Sequence, residues 1–543
     1  MLHTDAKSLV QQGEALFSKK MVLDSRNQEI ADHFYPERGD FTVTRDLGED
    51  WASHMMTGYP SMVRRDLGNA LGSMLRPSNK QWFHVRSKRE DREGHAEKKW
   101  LEGATKIQTR AMYDRVTQFT RAVKEGDHDF ATFGSAVLSV EVNRRDNALL
   151  YRCWHLRDVA WQEDQYGMIC AVHRRWKPSV RDLAGMFPGD VHQKVTEAIR
   201  KDPNKEINCV HIVIRAEHYT GQKKWGTPWV SLYVDCENQH IMEEAGSHTR
   251  KYVIPRWMTI SGSQYGYSPA TLIALPDARL VQAMTLTLLE AGEKSVNPPM
   301  VGVAEAIRGD MQVYAGGFTA VDSEYDERLG EVLRPLGVDK SGLPYGMDLS
   351  DRQQAMLREA FYLNTLSMPP TGGPDMTAYE VGQRVQEYIR QAMPLFEPME
   401  ADYNGELCEM TFDTLMNEGA FGSRDAVPES LQGRDVQFRF ESPLADMAER
   451  EKGQLFLESK AMLAAAVEAD PDTMMMMDFP AALRDVMSGI GAPSEWMLSP
   501  QAFDQARQAQ QAKQTMAETL GAMGQGAAVA KDLGQAAKGF APA

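Results

Sequence analysis

Along residues 1–135 the apolar positions recur at the three- and four-residue spacings of helix faces. SKKMVLDSRNQEIADHFYP predicts a helix that stops at Pro36, and WASHMMTGYPSMVRRDLGNALGSMLRP a second that ends at Arg76 before Pro77. A third runs through HAEKKWLEGATKIQTRAMYDRVTQFTRAV, which is rich in opposite-charge and apolar pairs four residues apart. The period changes at residue 136. AVLSVEVN, LLYRCWHL, VAWQED, MICAVHRRW, INCVHIVIRAEHY and WVSLYVDC are short, β-branched and aromatic, and bounded by polar turns. They predict an antiparallel sheet with one helical insert, DVHQKVTEAIRKDP. Helix returns over 268–297, placing Leu280, Met284, Leu288 and Ala291 on one face, and Pro298 and Pro299 forbid its continuation. A stretch of strand, glycine and turn follows, including MQVYAGGFTAV and VLRPLGVDKSGLPYG, before helix resumes in LSDRQQAMLREAFYLNTLS.

The next segment, SMPPTGGPDMTAYE, is stiff and averse to helix, yet it ends in a capping box. The Thr377 side chain can accept from the third amide of the new helix while Glu380 reaches back. Behind it Val381, Val385, Tyr388, Ala392, Leu395 and Met399 form a heptad seam, and Pro394 and Pro398 inside that seam predict a kink. The helical pattern continues through ELCEMTFDTLMNEG and stops near Gly419. DVQFRFESPLA predicts a strand leading into a turn. Helices are predicted in LADMAEREKGQLFLESKAMLAAAVEA and, shorter, in MMMMDFPAALRDVMSGIGAP. The Ala, Gln and Gly-rich end from about residue 499 starts as helix and frays. No internal repeat recurs at a fixed period.

With 543 residues the chain exceeds what one hydrophobic core serves. Its net charge of −16 opposes tight non-specific grip on a polyanion; local basic patches could still bind one, and a negative surface could instead keep DNA from sticking. Five scattered cysteines (153, 170, 209, 236 and 408) predict free thiols in a reducing compartment rather than a disulfide framework. The first twenty residues lack the apolar core of a signal peptide, and no run approaches eighteen apolar residues, so no membrane span and a soluble chain are expected.

Chemistry-bearing motifs are sparse. There is no G-x-x-x-x-G-K-[ST] and no G-x-G-x-x-G, hence no recognisable phosphate cradle. SGSQYG places Ser263 in a sequence like a nucleophile elbow, but Ser261 stands where glycine is needed. Cys153/His155, Cys170/His173, Cys209/His211 and Cys236/His240 are close pairs. Zinc needs four converging ligands, and buried thiols and half-buried imidazoles on a sheet are the commoner outcome. Met474 to Met477 covers every side of a helical turn, which suits a core or a subunit interface. Arg308, Arg328, Arg334 and Lys340 are interspersed with acids, a mixture that suits a protein interface with intersubunit ion pairs at least as well as DNA contact. No catalytic residue, metal or cofactor is expected.

The order of parts resembles the portal (head-to-tail connector) proteins of short-tailed, podovirus-type bacteriophages. The resemblance runs from about residue 25 to 500. It is carried by IADHFYPERGDF, RPSNKQWFHVR, YGYSPATLIALPDARLVQ, NPPM, PPTGGPDMTAYEVGQRVQEYIRQAMPLFEPMEADYNGELCEMTFDTL and FESPLADMAE. It implies an α+β portal fold with wing, two-helix stem, clip and helical crown, assembled as a ring typically of twelve subunits. Residues 1–267 map to the wing, 268–297 and 348–366 to the stem, and 298–347 to the clip. Residues 367–376 map to the tunnel loop, 377–440 to a long kinked helix returning to the wing, 441–520 to the crown, and 521–543 to a flexible tail. Ser367, Met368, Pro369, Pro370, Thr371, Gly372, Gly373, Pro374, Asp375 and Met376 would then narrow a DNA channel. Arg308, Arg328, Arg334 and Lys340 become clip candidates for terminase and adaptor contact. The implied partners are other copies of the chain (a dodecamer), the terminase large subunit, a tail adaptor, the major capsid and scaffolding proteins, and double-stranded DNA. The implied location is the portal vertex of the virion, and the host cytoplasm during assembly. The rival classes are a tail adaptor or tube protein and a virion enzyme such as a nuclease or peptidoglycan hydrolase.

Overall fold

The computed structural model describes residues 5–46, 48–77, 81–88, 95–219, 226–302, 342–366 and 399–422 as continuous stretches. Shorter described pieces lie at 307, 322, 331, 333–335, 387, 390, 427–428, 431, 436–440, 453, 455–464, 478–489, 496–498, 502–513 and 515. In chain order the elements are α1 (Ala6–Phe34), α2 (Tyr59–Leu75), β1 (Phe83–Ser87), α3 (His95–Met112), α4 (Phe119–Phe133), β2 (Leu138–Asn143), β3 (Ala148–Cys153), β4 (Val159–Glu163) and β5 (Ile169–Trp176). There follow α5 (Val180–Met186), α6 (Gln193–Lys201), β6 (Cys209–Arg215), β7 (Trp229–Asp235), β8 (His240–Ser247), β9 (Tyr252–Val253), β10 (Met258–Thr259), β11 (Gly266–Tyr267) and α7 (Pro269–Val296). The series ends with β12 (Met300–Gly302), β13 (Leu333–Pro335), α8 (Gly342–Ala360), α9 (Leu363–Leu366), α10 (Glu406–Asn417), β14 (Val436–Phe440) and α11 (Phe479–Gly489). The fold mixes helix with antiparallel sheet. It divides into two compact units, Met1–Trp82 with Ile107–Gly422, and Phe83–Lys106 with Ser423–Ala543.

The first unit is built on an antiparallel sheet of order β4-β5-β6-β7-β8. The run CVHIVIR of β6 is apolar on nearly every position because both sheet faces are covered. On one face Val210, Ile212 and Ile214 pack with Val230, Leu232 and Val234 of β7 and with Leu9 of α1. On the other, Cys209 packs with Val180, Leu183, Phe187 and Val195 of α5 and α6. His211 shares that second face, stacked on Tyr233 with centroids 4.1 Å apart. Its two nitrogens meet Tyr252 Oη at 2.5 Å and Ser231 Oγ at 2.9 Å. Burial, then Arg174 and Lys251, hold this imidazole well below its usual pKa, so it serves as a neutral bridge.

Several boundaries depart from the sequence expectation. Helix α1 begins at Ala6, with Asp5 as its cap, rather than in the Ser18 region. Leu9, Gly13 and Leu16 are buried, and tertiary packing supports a segment whose Gln11-Gln12-Gly13 weakens the periodic signal. The third predicted helix is two. Asp114 accepts from Val116 N at 3.1 Å to cap a short 3-10 turn, Gln118 adopts φ 57°, and α4 restarts at Phe119. Helix α2 starts at Tyr59, where Pro60 is tolerated because first-turn amides need no helical partner. Between α1 and α2 the chain is fixed by Gln28, which donates to Gly39 O at 2.7 Å and accepts from Phe41 N at 2.8 Å. Arg45 meets Asp32 at 2.8 Å.

In the second unit β1 and β14 pair antiparallel, with Val85 opposite Phe438. Thr105 Oγ1 accepts from Val85 N at 3.0 Å and donates to Leu101 O at 2.8 Å, tying the strand to α3. Helix α11 and the helical residues 455–464 and 502–513 occupy the regions where helices were expected. Met474 to Met477 lie outside the described residues, as do Pro394 and Pro398.

Candidate functional site

Helix α7 has two halves with different surroundings. Its N-terminal half is locked into the first unit. Ser268 caps it, accepting from Thr271 N at 3.5 Å while donating to Ala131 O at 2.7 Å. Thr271 Oγ1 donates to Thr132 O at 2.8 Å. Gly134, at φ 74°, ends α4 against the Tyr267–Ser268 backbone, where a Cβ would lie 2.3 Å or less from three backbone atoms. Glycine is required there on both counts. Ala270, Ala274, Leu275, Ala278 and Val281 are buried. Gln282 closes the anchored half, accepting from Met56 N at 2.7 Å and donating to Thr57 O at 2.8 Å.

Beyond Val281 no residue of α7 is buried. This half packs on α8, and Gly346 permits the approach: a Cβ there would stand 2.8 Å from Leu288 Cδ2. Of the face expected from sequence, Met284, Leu288 and Ala291 are half-buried and Leu280 is exposed. Leu286, Leu289 and Val296 project roughly opposite the α8-facing side, judged from about 100° per residue; Leu289 is 59% and Val296 89% exposed. On α8, Tyr345 and Met356 share a second exposed side. By length and composition α7 could cross a bilayer, with a mean hydropathy of 1.4 over an 18-residue window. A stripe of apolar side chains around a helix in this position also fits a helix covered by protein. Between the helices β12 and β13 pair, with Arg334 opposite Val301.

The polar character of the pair is acidic on balance. Asp277, Glu290, Glu293, Asp348, Asp351 and Glu359 outnumber Arg279, Lys294, Arg352 and Arg358. Arg352 bonds Asp348 one turn away at 2.8 Å, and Arg279 pairs with Glu29 of α1.

After α8 the chain re-enters the first unit. Tyr362 adopts φ 57°, Phe361 packs on Phe34 with centroids 5.3 Å apart, and Leu363 and Leu366 are buried. Ser367 to Met376, Thr377 and Glu380 lie outside the described residues. The chain is described again without a break from Met399, which is buried, and a π-helical turn, Glu400–Gly405, leads into α10. That turn is bolted to α2 and α4. Arg76 donates to Asn404 Oδ1 at 2.6 Å, pairs with Asp127, and stacks over Tyr403 at 4.7 Å. Burial alone would lower the Arg76 guanidinium, and Asp127 more than reverses this; burial pushes the Asp127 carboxyl up against the pull of Arg76. The chain is thus held in the first unit at Phe361–Leu366 and again at Met399–Gly405, the second by contacts distant in sequence.

Of the four basic candidates only Arg334 is described. It is exposed on β13; Arg308, Arg328 and Lys340 are not among the described residues. Ser263 sits in a turn, accepting from Tyr265 N at 3.3 Å. Among the described residues no group of three or more His, Cys, Asp or Glu side chains is placed to hold a metal. The thiols of Cys209 and Cys236 are pushed up by burial, that of Cys236 to about 11.

Residues 6–498 match the family described as bacteriophage head to tail connecting protein. The chain belongs to that family. A probable portal protein of Bordetella phage BPP-1 is 23% identical over 81% of this chain and 80% of its own length. The portal protein of Salmonella phage epsilon15 is 20% identical over 97% of this chain and 95% of its own. A chain of the virion of a native gene transfer agent particle matches 75% of this chain and 86% of its own at 9% identity and a TM-score of 0.36, too low a likeness to bear on the fold.

Proposed function

We propose that the chain is the portal subunit of a short-tailed phage, forming a ring, typically of twelve copies, at one capsid vertex and the head-tail junction of the virion. The observation that carries this reading is the pair of unlike apolar stripes on the α7–α8 pair, Leu286–Leu289–Val296 on one helix and Tyr345–Met356 on the other. One stripe set against the other on the next copy is a heterologous contact, which closes into a ring when the rotation between copies is a whole fraction of a full turn. Helices α7 and α8 are then the stem, β12 and β13 belong to a clip over 298–347, and unit two contributes a crown over 441–520.

The work is conduction of double-stranded DNA, without a chemical step by this chain. A terminase large subunit pushes the genome in through the clip end, and a tail adaptor later occupies that surface. Major capsid and scaffolding proteins surround the ring. Surplus carboxylate on the helix pair, repeated around an axis, weakens phosphate adhesion and lets the duplex slide. Ser367–Met376 forms the constriction. Its prolines limit loop freedom, and Asp375 is its one charge, so it meets DNA sterically. Deleting Pro369–Pro374 is expected to leave rings intact and to abolish packaging or retention of DNA. Normal packaging and retention by the deletion would overturn the assignment of this loop.

A further inference from the structure

Helix α7 carries one seam of small and apolar residues whose cover changes half-way. Thr271, Ala274, Ala278 and Val281 are buried by the rest of the first unit. Thr285, Leu289, Gly292 and Val296 continue the same side at the same three- and four-residue spacing. Leu289 and Val296 are exposed, and a Cβ on Gly292 would meet no atom within 4 Å. Past Val281 the seam is therefore a ridge with a notch at Gly292, between Leu289 and Val296.

The course of α8 fixes which side of the helix pair this ridge occupies. Gly346 meets Leu288, and the segment 56–59 reaches both helices, Met56 N donating to Gln282 Oε1 at 2.7 Å and Tyr59 Oη to Gln354 O at 3.2 Å. The two helices thus run antiparallel. Met284, Leu288 and Ala291 mark the side of α7 that meets α8, and Gly346, Gln353 and Leu357 the side of α8 that meets α7. Turning about 100° per residue from those sides puts Leu289 and Val296 on one broad face of the pair, with the exposed Met347 beside them. Tyr345 and Met356 fall on the opposite broad face. Because Gly346 stands opposite Leu288, Tyr345 is level with Leu289. Charge divides in the same way. Asp351 falls on the ridge face and Arg352 on the Tyr345 face, about 1.5 Å apart in height. Asp351 is exposed and has no ion-pair partner among the described residues; Arg352 is exposed and held only by Asp348 on its own helix.

We propose that these two faces mate between copies of this chain: Tyr345 of one copy seats over Leu289 and the Gly292 notch of the next, and Arg352 of the first meets Asp351 of the second. The occupant is a second copy because ridge and knob stand back to back on one subunit, at equal height and with opposite charge. Rotation about an axis along the helix pair preserves height, so each residue meets its level counterpart on the neighbour. A two-fold pairing would instead set the ridge against itself. This contact rests on the ring reading and goes further, since it fixes which residues meet.

The test uses full-length protein carrying Leu289→Cys and Tyr345→Cys together. Ring assembly is checked by native mass measurement under reducing conditions, followed by mild copper–phenanthroline oxidation and a non-reducing gel. The expected result is a ladder of covalently joined copies extending beyond the dimer. Within one chain the two positions lie on opposite faces and do not join. Either single variant should match the wild-type background. Val296→Cys with Tyr345→Cys should lose the ladder, because Val296 lies roughly 10 Å further along α7, beyond the reach of about 7 Å between Cα atoms that a disulfide spans. Gly292→Phe should leave subunit melting unchanged and raise the concentration at which rings form by about tenfold, the scale of one overpacked contact. Adding Tyr345→Ala should reverse part of that rise, and this size exchange decides the question if the cysteine pair fails to assemble. Rings without a ladder, dimers only, a ladder from a single variant, or no relief from Tyr345→Ala would overturn the contact and leave the ring reading standing. Absence of rings in the wild type overturns both.

Discussion

Leu289→Asp is the sharpest probe of the α7–α8 surface. Leu289 is 59% exposed in the single chain, so the subunit gives up little when it is replaced. Fully burying a leucine yields about 2 kcal/mol, and the exposed part leaves about 1 kcal/mol to be gained at each contact between copies. A carboxylate in that contact loses hydration as well, at several kcal/mol when unpaired. The sum exceeds about 3 kcal/mol per interface, more than a hundredfold in its association constant. Every copy in a ring contributes to two interfaces, so the effect compounds. Sedimentation velocity across a concentration series should show wild-type rings persisting where the variant is monomeric. Circular dichroism should give the two subunits the same secondary structure and melting temperatures within a few degrees. Undiminished assembly of Leu289→Asp would refute the placement of this stripe at an interface, and a collapsed fold would refute the claim that it is free in the subunit.

Three further outcomes follow from the interior. Asp127→Leu strands Arg76 as an unpaired buried cation and should cost about 3–5 kcal/mol by denaturant unfolding, whereas Arg76→Met with Asp127→Leu should recover most of that loss. Lys20 is buried, donates to Val159 O at 2.9 Å, and has its pKa lowered by burial from 10.5 to about 8. The unfolded chain holds this proton up to 10.5, so between pH 8 and 10.5 the unfolded state binds more protons and stability should rise with pH, by up to about 3 kcal/mol. Melting temperatures of wild type minus Lys20→Met should climb over that window, and a flat or falling difference would contradict the buried ammonium. Gly134→Ala forces a Cβ into the Tyr267–Ser268 backbone at a left-handed φ, and should abolish cooperative melting or lower it by more than about 3 kcal/mol.

The sequence made the local elements legible where one periodicity ran uninterrupted. The span of α7 fell within a residue of expectation because Ser268 and Pro298–Pro299 mark both ends. Strands β2 to β7 were visible as β-branched runs, and β14 likewise. What was hidden depends on contacts far apart in the chain. Strand β8 carries Glu243 and Glu244, which mask its alternation, and β1 is short and polar until paired with β14. The break at Asp114–Gln118 was concealed by charge pairs that read equally well through it. The outward stripe of α7 was partly legible, since Leu286, Leu289 and Val296 fall off the face formed by Met284 and Leu288. In the sequence His173 shows only as half of a Cys-His pair, because the isolation of its ring nitrogens is a property of the packed sheet and α1. The Arg76–Asp127–Asn404 anchor spans more than three hundred residues of sequence and leaves no local signal.

The proposed function requires rotational assembly around an open axis. Native mass measurement of the purified chain, with electron-microscopic class averages of the same sample, tests it most directly. The expected result is a closed ring near twelve copies with a central opening lined by the α7–α8 pairs. A stable monomer, or a tube or sheet without a closed axial opening, would contradict it.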